Sequence, residues 1–167
     1  MKKINTLVFS FLLLGSCSPQ PDFHVDLMLV EEEVSDDSNS VTETLSIDGY
    51  KGTYHWVYGG YHPNDDFDTD RKESFRLTDE DLQILTLLIR ENGLLVSREE
   101  TVNSTDWWSA FEVTWDITLD GQSATGHVVG GALPYSESTN EPAVEDESKF
   151  AAEQVMSFVQ EKVGFND

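Results

Sequence analysis

Thiols are almost absent from this sequence: Cys17 is the single cysteine in 167 residues. One thiol excludes an intrachain disulfide and a cysteine-rich metal site. Basic side chains are scarce as well, with 10 Lys and Arg against 32 Asp and Glu, a formal charge of −22. Such a field repels phosphate backbones, and nucleic acid is excluded as a partner. Long apolar runs are also missing. The longest, Leu7 to Leu14, is interrupted by Ser10 and falls far short of the about 20 residues a membrane-spanning helix needs. Complete catalytic motifs are lacking too. No HExxH pattern occurs, and no glycine-rich phosphate loop precedes a helical segment. Gly121 to Thr125 departs from the GxSxG elbow, because Thr125 stands at the final glycine position and Ser123 falls inside a strand pattern.

What is present begins at the amino terminus. Lys2 and Lys3, then the Leu7–Leu14 run, then small Gly15 and Ser16, have the order of a secretory signal over residues 1–16. Leu14-Gly15-Ser16-Cys17 resembles the lipobox of bacterial lipoproteins in residue type, order and distance from the start. The resemblance implies that Cys17 carries diacylglycerol on sulfur and becomes the new amino terminus. It implies further that the membrane is a partner through that cysteine, and that Ser18 beside it directs the protein to the outer membrane in a Gram-negative cell. Several acyl chains, each methylene contributing roughly 0.8 kcal/mol, hold such a protein at the envelope. The remaining 151 residues, 17–167, would contain no free thiol; without Lys2 and Lys3, 8 basic residues stand against 32 acidic ones, a formal −24. That length suits one domain.

Residues 17–22 read as a short tether, stiffened by Pro19 and Pro21. A single domain is expected over 23–167, with an acidic loop at 31–42. Phe23, Val25, Leu27 and Leu29 alternate with polar residues, which predicts a strand. Residues 43–48 and 53–60 predict a hairpin about Gly49-Tyr50-Lys51-Gly52, with Tyr54, Trp56 and Tyr58 on one face and expected in the core. After an acidic loop at 61–73 and a short strand, Thr78 followed by Asp79, Glu80 and Asp81 predicts a helix start, and Gly93 its end. Leu82, Leu85, Leu88 and Ile89 form its stripe, widened by Ile84 and Leu87. Phe111 to Leu119 alternate without a break before Asp120-Gly121, a two-residue turn that pairs Ile117 with Ala124, Trp115 with Gly126 and Val113 with Val128. A final helix is expected over about 146–163, with Phe150, Ala151, Val155, Phe158, Val159 and Val163 on one face. Hairpins followed by helices give an α+β class: a mostly antiparallel sheet of about five or six strands with two helices packed on one face.

Three groups of residues could carry chemistry. Asp66, Asp68 and Asp70 alternate as at the opening of a calcium loop, so Ca2+ is the candidate cofactor; Arg71 and Leu77 occupy the places of the turning glycine and the bidentate glutamate. A bland solvated loop explains the same residues. The four histidines, His24, His55, His62 and His127, show no metal-ligand spacing. Trp107 and Trp108, in a polar segment, are candidates to anchor a protein partner or stack on a carbohydrate ring.

These readings favour an envelope-anchored lipoprotein acting as a non-enzymatic binding or accessory module, its partner an envelope protein or a carbohydrate. The alternatives are a calcium-stabilised structural module and a carboxylate-based hydrolase. A further alternative follows from arrangement. Gly59-Gly60 between extended segments, the helix opened by Thr78, the Phe111–Leu119 hairpin and the last helix loosely resemble small emfourin-type inhibitors of metalloproteases, over about residues 50–163. The resemblance implies a protease-inhibitor-like module. The acidic insert at 64–73 and the lipid anchor depart from that pattern.

Overall fold

Alternation of apolar and polar residues dictates the central strands. Phe23, Val25, Leu27 and Leu29 are buried along β1 (Phe23–Glu33), and Phe111, Val113, Trp115, Ile117 and Leu119 along β6 (Ser109–Leu119). These two strands pair antiparallel over eleven residues, from Phe23 opposite Leu119 to Glu33 opposite Ser109. The computed structural model describes residues 21–33, 39–60, 69–104, 109–132 and 146–165. On one side of the central pair lie β2 (Ser40–Asp48), β3 (Lys51–Gly59) and β4 (Asp70–Arg76). On the other lie β7 (Gln122–Ala132) and β5 (Arg98–Ser104), giving the order β4-β3-β2-β1-β6-β7-β5.

The sheet therefore has seven strands, not five or six. The extra one is β5, which contains a single apolar residue, Val102, and so shows no alternation to read. It lies at an edge and pairs parallel to β7, whereas every other pairing is antiparallel. The acidic loop expected at 31–42 begins and ends in strand: β1 continues through Glu31, Glu32 and Glu33, and β2 already includes Ser40 to Thr42. Ladder hydrogen bonds to neighbouring strands hold these polar ends extended, so composition alone misassigned them. Likewise β4 starts at Asp70, inside the expected loop.

Both tight turns lie at one end of the sheet. Gly49, with φ 57°, opens the β2–β3 turn, and Asp120 and Gly121, with φ 51° and 75°, make the β6–β7 turn. The expected register of that second hairpin is the observed one, including His127 opposite Thr114. Asp22 stitches the chain entry to this turn, its carbonyl accepting from Asp120 N–H at 3.1 Å and its carboxylate from Gly121 N–H at 2.8 Å. Glu33, Ser40, Gly59, Asp70, Ser104, Ser109 and Ala132 mark the opposite end, from which the longer connections depart.

Helix α1 (Asp79–Glu91) opens on a capping box. Asp81 N–H donates to Thr78 Oγ1 at 3.2 Å, and Thr78 N–H to the Asp81 carboxylate at 2.6 Å. Leu82, Leu85 and Ile89 are buried, whereas Ile84 and Leu87 are 37% and 55% exposed. The stripe is thus narrower than expected, because residues 84 and 87 project on the side of the helix opposite 82, 85 and 89. Helix α2 (Glu147–Val163) buries Ala151, Ala152, Val155, Met156 and Val159, and ends on Gly164 at φ 67°. Phe150, expected inside, is 44% exposed. The buried residues of both helices share one cluster with the inward positions of the sheet, and the helices contact each other. Tyr54 belongs to that core; Trp56 and Tyr58 are half-buried and stack at 6.2 Å, with Phe165 against Trp56 at 5.5 Å.

Lys162, near the end of α2, reaches Asp81 at 2.6 Å and ties the two helices together. Burial pushes the Asp81 carboxyl up, but hydrogen bonds from Lys162 and from the Thr78 backbone and hydroxyl outweigh it and leave the group lowered. A lowered carboxyl stabilises the fold above its unfolded value of about 3.9 and loses that contribution as pH falls through the folded value. Asp81→Asn is therefore expected to lower stability at pH 7 by about 1 kcal/mol, roughly 2–4 °C in Tm, and thermal melts should show the gap to wild type closing below about pH 4.

Candidate functional site

The alternation that fills the core puts mostly polar side chains, with Met28, Val30, Val57 and Val129 among them, on the other sheet face. Register sets its rows. One runs Lys72, His55, Thr44, Met28, Thr114, His127, Glu99 across all seven strands, and the next runs Ser74, Thr53, Ser46, Asp26, Asp116, Thr125. Asp26, Thr44, Asp116, Thr125 and His127 are exposed.

Three histidines project from this face, each beside a carboxylate: His24 with Asp26 at 3.3 Å, His55 with Asp70 at 2.6 Å and His127 with Glu112 at 2.9 Å. Only the first pair could have been read from sequence, as an i, i+2 spacing on one strand. The others are diagonal neighbours across strands, created by registers β3–β4 and β6–β7.

A hollow of ≈ 590 Å³ lies where this face narrows, lined by Ser97, Arg98, Glu99, Thr114, Trp115, Asp116, Thr125, Gly126 and His127. Its origin is topological. Strand β5 starts pairing with Arg98 opposite Gly126, so the sheet is seven strands wide on one side of that point and six on the other. At the step, Thr125 N–H donates to Ser97 Oγ at 3.2 Å instead of to a strand neighbour. The hollow brings an imidazole, carboxylates and hydroxyls together. That mixture recognises polar ligands by hydrogen bonds in both directions.

The floor depends on an aromatic–glycine contact. Trp115 lies across Gly126, and a Cβ placed on that glycine would fall 2.0 Å from Trp115 Cζ2. Two more such pairs occur, Phe111 over Gly130 and Phe75 over Gly52, each between directly opposed residues. Trp115 Nε1 is buried without a hydrogen-bond partner.

Behind the sheet sits a buried acid, Glu43. It accepts from Tyr54 Oη at 2.6 Å and from Gln160 Nε2 at 2.9 Å, and Gln160 Nε2 also donates to Tyr54 Oη at 2.8 Å. The cluster locks α2 onto β2 and β3. A second concavity, ≈ 470 Å³, lies between the end of α1 and the start of α2, lined by Glu91, Asn92, Gly93, Glu147 and Phe150.

Of the candidate calcium ligands, Asp70 opens β4 and holds His55, while Asp66 and Asp68 lie outside the described residues, as do His62, Trp107, Trp108 and Cys17. Among the described residues no group of three or more His, Cys, Asp or Glu is arranged to hold a metal ion, and no helix is long and apolar enough to cross a membrane. The chain matches no known protein-family model and no curated protein.

Gly126→Ala forces a methyl into the Trp115 ring. Overpacking of this kind costs about 1–3 kcal/mol. Denaturant unfolding is expected to show that loss, with near-ultraviolet circular dichroism reporting a displaced indole; Gly131→Ala, with nothing within 4 Å of its added methyl, is the matched control and should be close to neutral.

Proposed function

We propose that this protein is an envelope-anchored lipoprotein whose domain is a non-enzymatic binding or accessory module, with the open polar face of the sheet as its ligand-bearing surface. The observation that supports this most is one-sided burial. Both helices contribute their apolar stripes to the core cluster on one side, so that they back the sheet, and the opposite face keeps three histidine–carboxylate pairs in reach of solvent. Rows of Thr, Ser, His and Asp offer donors and acceptors to an envelope protein or a carbohydrate. The anchoring part of the reading rests on Leu14-Gly15-Ser16-Cys17.

Two measurements test it. Mass spectrometry of the mature protein is expected to find acyl chains on Cys17 at the new amino terminus, and Cys17→Ser is expected to release the protein from the membrane fraction. Photo-crosslinkers placed at Thr44 and at Thr125 in intact cells should capture the same specific partner, competed by excess unlabelled domain. An unmodified Cys17 removes the anchor; no capture from either position, with capture from helix positions instead, removes the binding face.

A further inference from the structure

Where the chain enters the fold sets how the fold would stand on a membrane. Only four residues, Ser18 to Pro21, separate Cys17 from Asp22, and the five Cα steps reach at most about 18 Å. Asp22 is not loose: its carbonyl and carboxylate take the Asp120 and Gly121 N–H groups, and the next carbonyl, of Phe23, takes Gly49 N–H at 2.8 Å. The entry point is therefore bound to both tight turns. From there β1 runs eleven residues away, about 36 Å, to Glu33.

Helix α1 belongs to the same end. Tyr50 Oη donates to Asp79 at its start, at 2.6 Å, and Arg90 in its last turn reaches Asp120 at 3.0 Å, so the helix bridges the two turns. Its outward stripe carries Ile84 and Leu87, two of the few large apolar side chains the fold leaves exposed. Lys51, Arg76 and Arg90 sit at this end beside the acids Asp22, Asp48, Asp79, Glu80, Glu91 and Asp120, so the placement rests on the short tether, the pinned entry point and the apolar stripe rather than on charge.

We propose that the turn end of the sheet faces the lipid bilayer, with α1 lying along the interface through Ile84 and Leu87 and the strands rising from it. The open face then stands side-on to the membrane, and the β1–β2, β3–β4, β5–β6 and β7–α2 connections leave at the membrane-distal end. This inference rests on the lipid anchor proposed above.

The test uses the full acylated chain in phosphatidylcholine vesicles doped with headgroup-spin-labelled lipid. With Cys17 acylated, a single introduced cysteine takes the fluorophore: Gln122→Cys at the turn end, Glu32→Cys at the far end, both at exposed positions. Flotation with the vesicles, together with at least three-fold stronger quenching at position 122 than at 32, is the expected result, and Leu87→Ser should reduce the difference. Flotation with equal or reversed quenching leaves the anchor standing and overturns the orientation. Failure to float removes the anchor and the orientation together.

Discussion

The rest of the structure depends on eleven consecutive pairings between β1 and β6, all keeping one apolar row on one side. Phe23 faces Leu119, Val25 Ile117, Leu27 Trp115, Leu29 Val113 and Glu31 Phe111. The side-chain period in a strand is two, so a one-residue slip of β6 would send its apolar residues into water and bring Thr114, Asp116 and Thr118 into the core. Each large apolar side chain that changes sides forfeits roughly 1.5–3 kcal/mol of burial. A one-residue slip therefore does not compete with the native register. The polarity of the outer face is then the complement of the inner one, since every second position is left over.

Within that frame the large rings decide local shape. Trp115, Phe111 and Phe75 each occupy the space that a directly opposed glycine leaves empty. A ring lying flat across a strand covers more of the ladder than an aliphatic side chain would, and it fixes its neighbour as glycine. For Trp115 the position carries a cost: Nε1 is buried without a partner, a penalty of about 1–3 kcal/mol that the buried indole surface must exceed. The hollow on the opposite side of the sheet is bounded by the same two residues, so core packing and surface shape are coupled there.

Elements with strong local chemistry were legible in the sequence, and those with weak chemistry were not. Thr78 with Asp79 to Asp81 marked the start of α1, and Asp120-Gly121 fixed a hairpin register down to single residue pairs, because positive φ at both turn positions allows few alternatives. Strand β5 was invisible, since Glu99, Glu100, Thr101, Asn103 and Ser104 acquire strand form only from β7 beside them. The polar ends of β1 and β2 looked like loop for the same reason. Ile84 and Leu87 look like core only by composition, since the helical period places them opposite Leu82, Leu85 and Ile89, whereas Phe150 shares the apolar face of α2 and only the packing leaves it exposed. The His55–Asp70 and His127–Glu112 pairs required two registers to be known at once. For the outer face, then, sequence identifies the ingredients and topology alone identifies the neighbours.

Scarce cations complete the argument. A chain with this excess of carboxylates repels itself, and four of the eight basic residues that follow Cys17 sit where separate elements meet. Arg90 joins α1 to the β6–β7 turn, and Lys162 joins α2 to Asp81 at the start of α1. Lys149 joins α2 to Glu31 of β1 at 2.7 Å. Arg98 joins β5 to the first turn of α2, reaching Asp146 at 3.2 Å and Ser148 at 3.1 Å, while Asp146 itself accepts from Ser148 N–H as the helix cap. An exposed ion pair is worth only about 0–1 kcal/mol. Asp146 is different, with 6% of its side chain exposed: a carboxylate that has left water needs both its backbone donors and its guanidinium. The cations therefore act less as a sum of attractions than as the positions at which an acidic surface is allowed to close on itself. On the outer face of β1, β6 and β7, strands that contain no Lys or Arg, carboxylates turn instead to histidine or stay exposed. That face is left with acceptors to offer.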